Sequence, residues 1–483
     1  MPPPNNNFGG GTAETVLGTG VLVLMIIAIL LVFLLPRRWV LVPLMFAIFL
    51  LPAQSFVIGG FHLFVTRILI LAGLGRSIAS RSPDSPLFGG GYNAVDTLFI
   101  LYAIFHVSAF VLLYQQMGAL ANQFGFLWDL LGGYLLMRFL IQDDDDIQRT
   151  IKIFSVVATV LAATLLYEKF YDVNLYGFIA GHPIIPEIRN GSIRAQGPFH
   201  HAILAGTFGA TLLPLFFWLW KSGRSKVLGL IGMFASSAIT LASASSTPVS
   251  AYLAAILAIC FWPIRGRMRM VRWGIVIAIL ALNMVMRAPV WWALEHVDLA
   301  GGSAGEHRAE LVDNFVRHFG DWWLIGTKDN ANWGFEMWDQ SNQYIADGET
   351  GGLATFICLI GVISVSFRRL GLSRRFLQGD ATREWYIWLL GAALFSHCVA
   401  FLGISYFDQT RVTWYALLAM ISATTAPLLK ARGLSPERHV ETLSAKPHMG
   451  YSPPWQSAKA GSKGSFDSQR KPFNSGLVQH RPK

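Results

Sequence analysis

The chain has 483 residues, of which 53% are hydrophobic and only 14% charged. Soluble domains carry about a quarter charged residues, so this composition excludes an ordinary water-soluble enzyme. Lys and Arg total 38 against 28 Asp and Glu, a formal net charge of +10. An excess of that sign fits an anionic headgroup, a phosphate-bearing substrate or nucleic acid, and the placement of the cations decides between them.

The opening stretch, MPPPNNNFGGGTAETV, lacks the basic n-region and small-residue cleavage site of a secretory signal. The first apolar run, 16–35, is therefore expected to remain as a membrane helix. A bilayer-crossing helix needs about 20 apolar residues. Runs of that order follow at 39–58, 93–114, 118–141, 150–167, 201–220, 227–246, 248–264, 271–288, 349–367, 385–405 and 411–428. A shorter run, 61–75, contains Arg67 and reads as a thirteenth span or a re-entrant segment. The expected fold is an all-α polytopic integral membrane protein of 12–13 transmembrane helices, with a membrane domain over 1–429 and a basic disordered tail over 430–483. Cys260, Cys358 and Cys398 lie in apolar runs without a CxxC pair, so neither a disulfide framework nor a zinc site is expected.

Lys and Arg collect in the loops on the cytoplasmic side of a membrane. With 61–75 counted as a span, alternate loops and the tail hold 29 cations, the opposite loops hold 8, and Arg67 remains. Arg138, Arg149 and Lys152 belong to the rich side, as do Arg265, Arg267, Arg269 and Arg272. This bias predicts an external N-terminus and a cytoplasmic C-terminus. Asp143–Asp146 fall on the cytoplasmic side and read as a solvated acidic loop, with a divalent metal as the competing use. The tail carries +7 of the net charge. Its Ser, Pro, Gly and Lys content predicts disorder and contact with anionic lipid. It has no folded module for nucleic acid.

Two outer loops, 168–200 and 289–348, are too long for turns, and loops of such length usually carry function. They contain all the outer cations except Arg287 and Arg411. An arginine kept on the side that disfavours cations fits an anion, which its planar fork grips in two places. In the second loop, Ser303 and Glu306 read as a capping box opening a helix over 304–319 that stops at Gly320. Arg308, Val312, Phe315 and Phe319 fall on one stripe of that helix, so Arg308 needs either an anionic ligand, a salt bridge or an escape to the interface. Trp291, Trp292, Trp322, Trp323, Trp333 and Trp338 fit an interfacial belt or stacking on sugar rings. Asn330, Asn332, Asp339, Gln340, Asn342 and Gln343 supply polar partners for the second use. His201, beside Arg194 at a helix start, is the first candidate base. Ser245-Ser246-Thr247-Pro248 reads as a polar outer turn, with hydroxyls that could also reach a substrate. Asp129 is the clearest mid-span acid, with His106, His397 and Arg67 also in spans, a thin set for an ion-coupled carrier.

The pattern Arg194-x-x-Gly197-x-Phe199-x-His201-x4-Gly206 resembles the first-loop motif of the bacterial O-antigen ligase and polymerase family. Arg308, Leu324-Ile325-Gly326, Asn342-x-Tyr344 and Gly351-Gly352-Leu353 resemble its second-loop motif. The resemblance covers roughly 190–365, and the many-helix layout agrees beyond it. It implies a GT-C-like fold in the bacterial inner membrane and a metal-independent glycosyltransferase needing no cofactor. Its donor would be an undecaprenyl diphosphate-linked glycan at the periplasmic face, with chain-length and export proteins as partners. Carried over, Arg194 and Arg308 hold the diphosphate, and Asn342 and Tyr344 lead the chain back into the membrane. Trp333 and Trp338 are the candidate sugar platforms. His201, Glu306, His307 and Asp339 are the candidate bases. The sequence departs from the ligases at Ser341, where they commonly carry a histidine, and at Ala202, where a proline often follows the first-loop histidine. These departures favour a polymerase of exopolysaccharide or O-antigen repeat units over a ligase, with a flippase of the same lipid-linked glycan as the alternative from another class.

Overall fold

The computed structural model describes residues 16–58, 61–80, 87–296, 304–338, 341–431 and 433. Among the described residues, thirteen helical segments follow one another in the order of the apolar runs. They are α1 (Thr19–Leu34), α2 (Arg37–Leu50), α3 (Val65–Ala79), α4 (Ala94–Tyr114), and α5 (Met117–Leu127) joined by a π-turn to α6 (Gly133–Leu140). Then come α7 (Asp144–Tyr171), α9 (Ala202–Lys221), α10 (Lys226–Ala242), α11 (Ser246–Cys260), α12 (Met268–Val285), α15 (Gln343–Phe376), α16 (Ala381–Ala400) and α17 (Thr410–Ala431). Between them lie the short outer helices α8 (Tyr176–Ala180), α13 (Ala304–Arg317) and α14 (Phe319–Trp322). Among the described residues there are two small hairpins: β1 (Ser55–Ile58) pairs antiparallel with β2 (Phe61–Phe64), and β3 (Glu187–Arg189) with β4 (Ser192–Arg194). Six described helices are long and apolar enough to cross a membrane, and three more are apolar but shorter. The chain is an all-α, multi-pass membrane protein. The segment 61–75 enters as a strand and continues as α3.

The helix starts follow from local chemistry. Asn93 caps α4 by accepting from the Val95 amide at 3.0 Å, while Asp96 accepts from the Asn93 amide at 2.8 Å, satisfying donors that the first turn leaves open. The four aspartates do the same for α7. Asp143 accepts from the Asp146 amide at 2.8 Å, and Asp144–Asp146 form the first turn, where carboxylates suit the helix dipole. Asp146 also accepts from Arg149 at 2.7 Å. The acidic run is a helix cap.

Burial is uneven. α9 is apolar on all sides and buried along nearly its whole length, as expected of a helix enclosed by others. At Gly206 an added Cβ would lie 2.3 Å from Ser243 Oγ, so α9 and α10 approach closely there. α12 is the opposite case and has no buried residue. Two arginines of these helices grip aspartates, and the first was expected in a loop. Arg138, counted above with loop cations, lies in α6 at 0% exposure and grips Asp96 through Nε and Nη2 at 2.8 and 3.1 Å. Arg67 holds Asp129, in the π-turn, through Nε at 2.9 Å and Nη2 at 2.8 Å. Half-buried pairs of this geometry couple by about 1–3 kcal/mol. In a double-mutant cycle, Arg67→Ala and Asp129→Ala should each destabilise more than half as much as the pair together. Additive losses in thermal unfolding would remove the pairing from the fold's energetics. Of the cysteines, Cys358 is buried, Cys398 partly so and Cys260 exposed.

Candidate functional site

The first long loop is held from beneath by α7. Glu168, 1% exposed, accepts from the Gln196 and Gly197 amides at 3.1 and 2.8 Å. Asn174 donates to the Gly197 carbonyl at 2.8 Å. This clamp follows Arg194, the last residue of β4, and turns the chain toward His201, the cap residue of α9. Arg194 is buried. Its Nη1 donates to Glu187 across the β3–β4 hairpin at 2.6 Å, and its Nη2 to Ser245 Oγ at 2.7 Å. Its buried Nε has no hydrogen-bond partner among the described residues.

The second long loop arrives at the same turn. Arg308, in the first turns of α13, donates from Nη1 to Ser246 Oγ at 3.1 Å and from Nη2 to Thr247 Oγ1 at 2.8 Å. Thr247 in turn donates to the Gly403 carbonyl at 3.1 Å. Three consecutive hydroxyls at the start of α11 therefore receive the guanidinium groups of two loops that are far apart in sequence. Consecutive Cα atoms are about 3.8 Å apart, so both cations are gathered at one point.

α13 starts where expected and ends at Arg317, slightly before the expected stop. Its packed face is Leu311 and Phe315, with Trp322 stacked on Phe315 at 4.0 Å. Phe319 begins α14 and is exposed, because a break at His318 takes it off the stripe. Ser303 of the expected capping box lies outside the described residues. So does Asp339, one of the candidate bases. Glu306 is exposed and His307 half-buried, next to Arg308 on α13. His201 is exposed, its ring 6.0 Å from that of Phe407.

The aromatic candidates divide. Trp322 is core, 2% exposed. Trp333 stacks on His318 with centroids 4.7 Å apart, and Trp338 stands 74% exposed, open to a ligand's apolar face. Asn342 caps α15, accepting from the Tyr344 amide at 3.0 Å and donating to the Leu402 carbonyl at 3.3 Å. The Tyr344 hydroxyl donates to the Cys398 carbonyl at 3.1 Å. Both residues thus tie α15 to the end of α16. Further along α15, Gly352 adopts φ 72° and kinks the helix. An added Cβ there would lie 2.6 Å from the Leu324 carbonyl oxygen. The kink lets the Leu353 amide donate to Trp323 at 2.8 Å and leaves the Glu349 carbonyl to accept from Thr327 at 2.8 Å. The Leu324-Ile325-Gly326 and Gly351-Gly352-Leu353 parts of the motif are therefore packed together.

The short loop 401–409 also reaches this region, although it is not one of the two long loops. Gly403 receives Thr247, and Asp408 lies 3.8 Å from His200. Arg411, at the start of α17, donates to the Tyr406 carbonyl at 2.7 Å and lies over the Phe126 ring at 4.9 Å. Burial pushes the Asp408 carboxyl above its ordinary range, with His200 and Arg411 pulling against it. The sign that marked the loop is Arg411, an outer cation that lies in neither long loop. A second polar chain runs inward from it. Tyr406 donates its amide to Gln343, Gln343 donates to Asp347, and Asp347 accepts from Tyr102 at 2.8 Å. His397 bonds the Tyr406 hydroxyl at 2.8 Å, and His106 stacks on Phe126. Among the described residues no group of three or more His, Cys, Asp or Glu side chains is placed to hold a metal ion.

No protein-family model matches the chain, and no curated protein does.

Proposed function

We propose that the protein polymerises undecaprenyl diphosphate-linked oligosaccharide repeat units into exopolysaccharide or O-antigen at the periplasmic face of a bacterial inner membrane. The observation that carries this reading is the meeting of Arg194 and Arg308 at Ser245–Thr247. Glycosyl transfer from such a donor releases a diphosphate, whose developing charge calls for fixed cations more than for an acid. Two arginines from separate loops, oriented by hydroxyls, meet that need without a metal. Glu187 occupies one side of Arg194 and is half exposed, so an incoming diphosphate exchanges with it. The acceptor sugar hydroxyl needs a base, drawn from His201, Glu306, His307 and Asp339. Trp338 supplies a face for the sugar's C–H surface.

The test is turnover by the purified full chain supplied with a lipid-linked repeat unit, with and without chelator. Chelator-resistant growth of a polymer ladder is the expected outcome. Strict dependence on a divalent cation would sink the mechanism. Transfer only to a lipid A-core acceptor would make the protein a ligase.

A further inference from the structure

We propose that the cleft between the first turns of α2 and α7 binds a phospholipid with a phosphoethanolamine headgroup. The cleft has a volume of about 450 Å³ and lies at the end of the molecule where both helices begin. One wall is Trp39, Val42 and Phe46 of α2, spaced 3 and 4 residues apart and therefore on one face. The other wall is α7, and its lining changes character along the helix axis. Asp145 comes first, then Arg149 and Lys152, then Ile153 and Val156.

At 1.5 Å per residue, Arg149 lies about 6 Å, Lys152 about 10 Å and Val156 about 16 Å beyond Asp145. That is the order of groups in a phosphoethanolamine lipid read from water inward: ammonium, phosphate, glycerol, acyl chain. Asp145 meets the ammonium, Arg149 and Lys152 meet the phosphate through charge-assisted hydrogen bonds, and Phe46 and Val156 meet the chain.

The charges of the cleft are not used up within the protein. Lys152 is half-buried, and neither it nor Asp145 forms a hydrogen bond or ion pair among the described residues. Arg149 gives one nitrogen to Asp146 at 2.7 Å, and the rest of its fork makes no hydrogen bond among the described residues. Charges of both signs lined up in a partly apolar cleft call for a ligand that carries both. An anionic headgroup without an amine would satisfy the cations but place its charge beside Asp145. A choline headgroup has no N–H to donate to the carboxylate. This site is at a different place from the arginine turn and does not rest on the glycan reading.

The experiment is native mass spectrometry of the full chain, delipidated in detergent and titrated with dioleoyl phosphatidylethanolamine, phosphatidylglycerol or phosphatidylcholine. The wild type should hold the ethanolamine lipid about tenfold more tightly than either of the others. Lys152→Gln should weaken it by about tenfold, the scale of one hydrogen bond to a charged group. Asp145→Asn should move the preference to the glycerol lipid. Both substitutions fall on the cleft wall, and an unchanged unfolding temperature without lipid would show that the fold survives them. Equal or tighter binding of either other lipid by the wild type overturns the proposal. So does ethanolamine-lipid binding that is indifferent to both substitutions.

Discussion

Arg308→Ala should abolish polymer while leaving the protein in the membrane at its normal abundance. Fixed donors aimed at developing charge contribute about 10²–10³ in rate when one is removed, and a processive product multiplies that loss over many cycles. The hydroxyls of Ser246 and Thr247, which Arg308 leaves behind, can turn to other partners, and membrane abundance reads any structural cost. Arg194→Ala should have the same effect on polymer, since its hydroxyl partner Ser245 adjoins that of Arg308. Arg308→Lys should stay low as well, because an ammonium cannot bridge two hydroxyls and still present a planar face to a diphosphate. Polymer amount and length are read on gels, and membrane content by immunoblot. Unchanged polymer in both alanine variants would remove the arginines from the chemistry.

Glu168→Ala should be among the most destabilising single changes in the protein. Its carboxylate is the acceptor for two amides of the first loop and is almost fully enclosed. Removing it leaves one buried and one half-buried amide without this acceptor, at about 1–3 kcal/mol for a buried donor. The loss falls on the turn that positions Arg194 and His201, so activity should vanish together with stability. Glu168→Gln keeps one good acceptor and should cost about half as much. Thermal unfolding in detergent separates the three proteins. Equal midpoints for wild type and Glu168→Ala would show that the loop is held by other means.

The membrane helices were legible because each needs a long apolar run, and few other structures use one. Arg308 was legible as a cation on the packed side of a short helix, since its spacing to Val312 and Phe315 is local. Its partners were not. Ser246 and Thr247 lie 62 and 61 residues away, and a serine-threonine turn looks the same whether or not an arginine reaches it. The α13 stripe failed at Phe319 because a break at His318 resets the helical phase. Arg138 looked like a loop cation because an inward-facing arginine near a span end reads the same as an outward-facing one. Its partner Asp96 sits 42 residues away. Loop 401–409 was overlooked because it is short, yet it supplies Gly403 to Thr247 and Asp408 to His200.

α12 leads from the membrane to the loop that carries Arg308, and none of its residues is buried. Acyl chains are as apolar as a neighbouring helix, so this isolation carries no hydrophobic penalty. It does mean that, among the described residues, no buried side chain fixes where α12 stands beside the bundle. The helix is a mooring line. It limits how far the loop can travel but does not set its position. That position is set at the loop's own contacts, where Arg308 fastens to Ser246 and Thr247. The same two hydrogen bonds that prepare the cation for a diphosphate therefore also hold the loop in register.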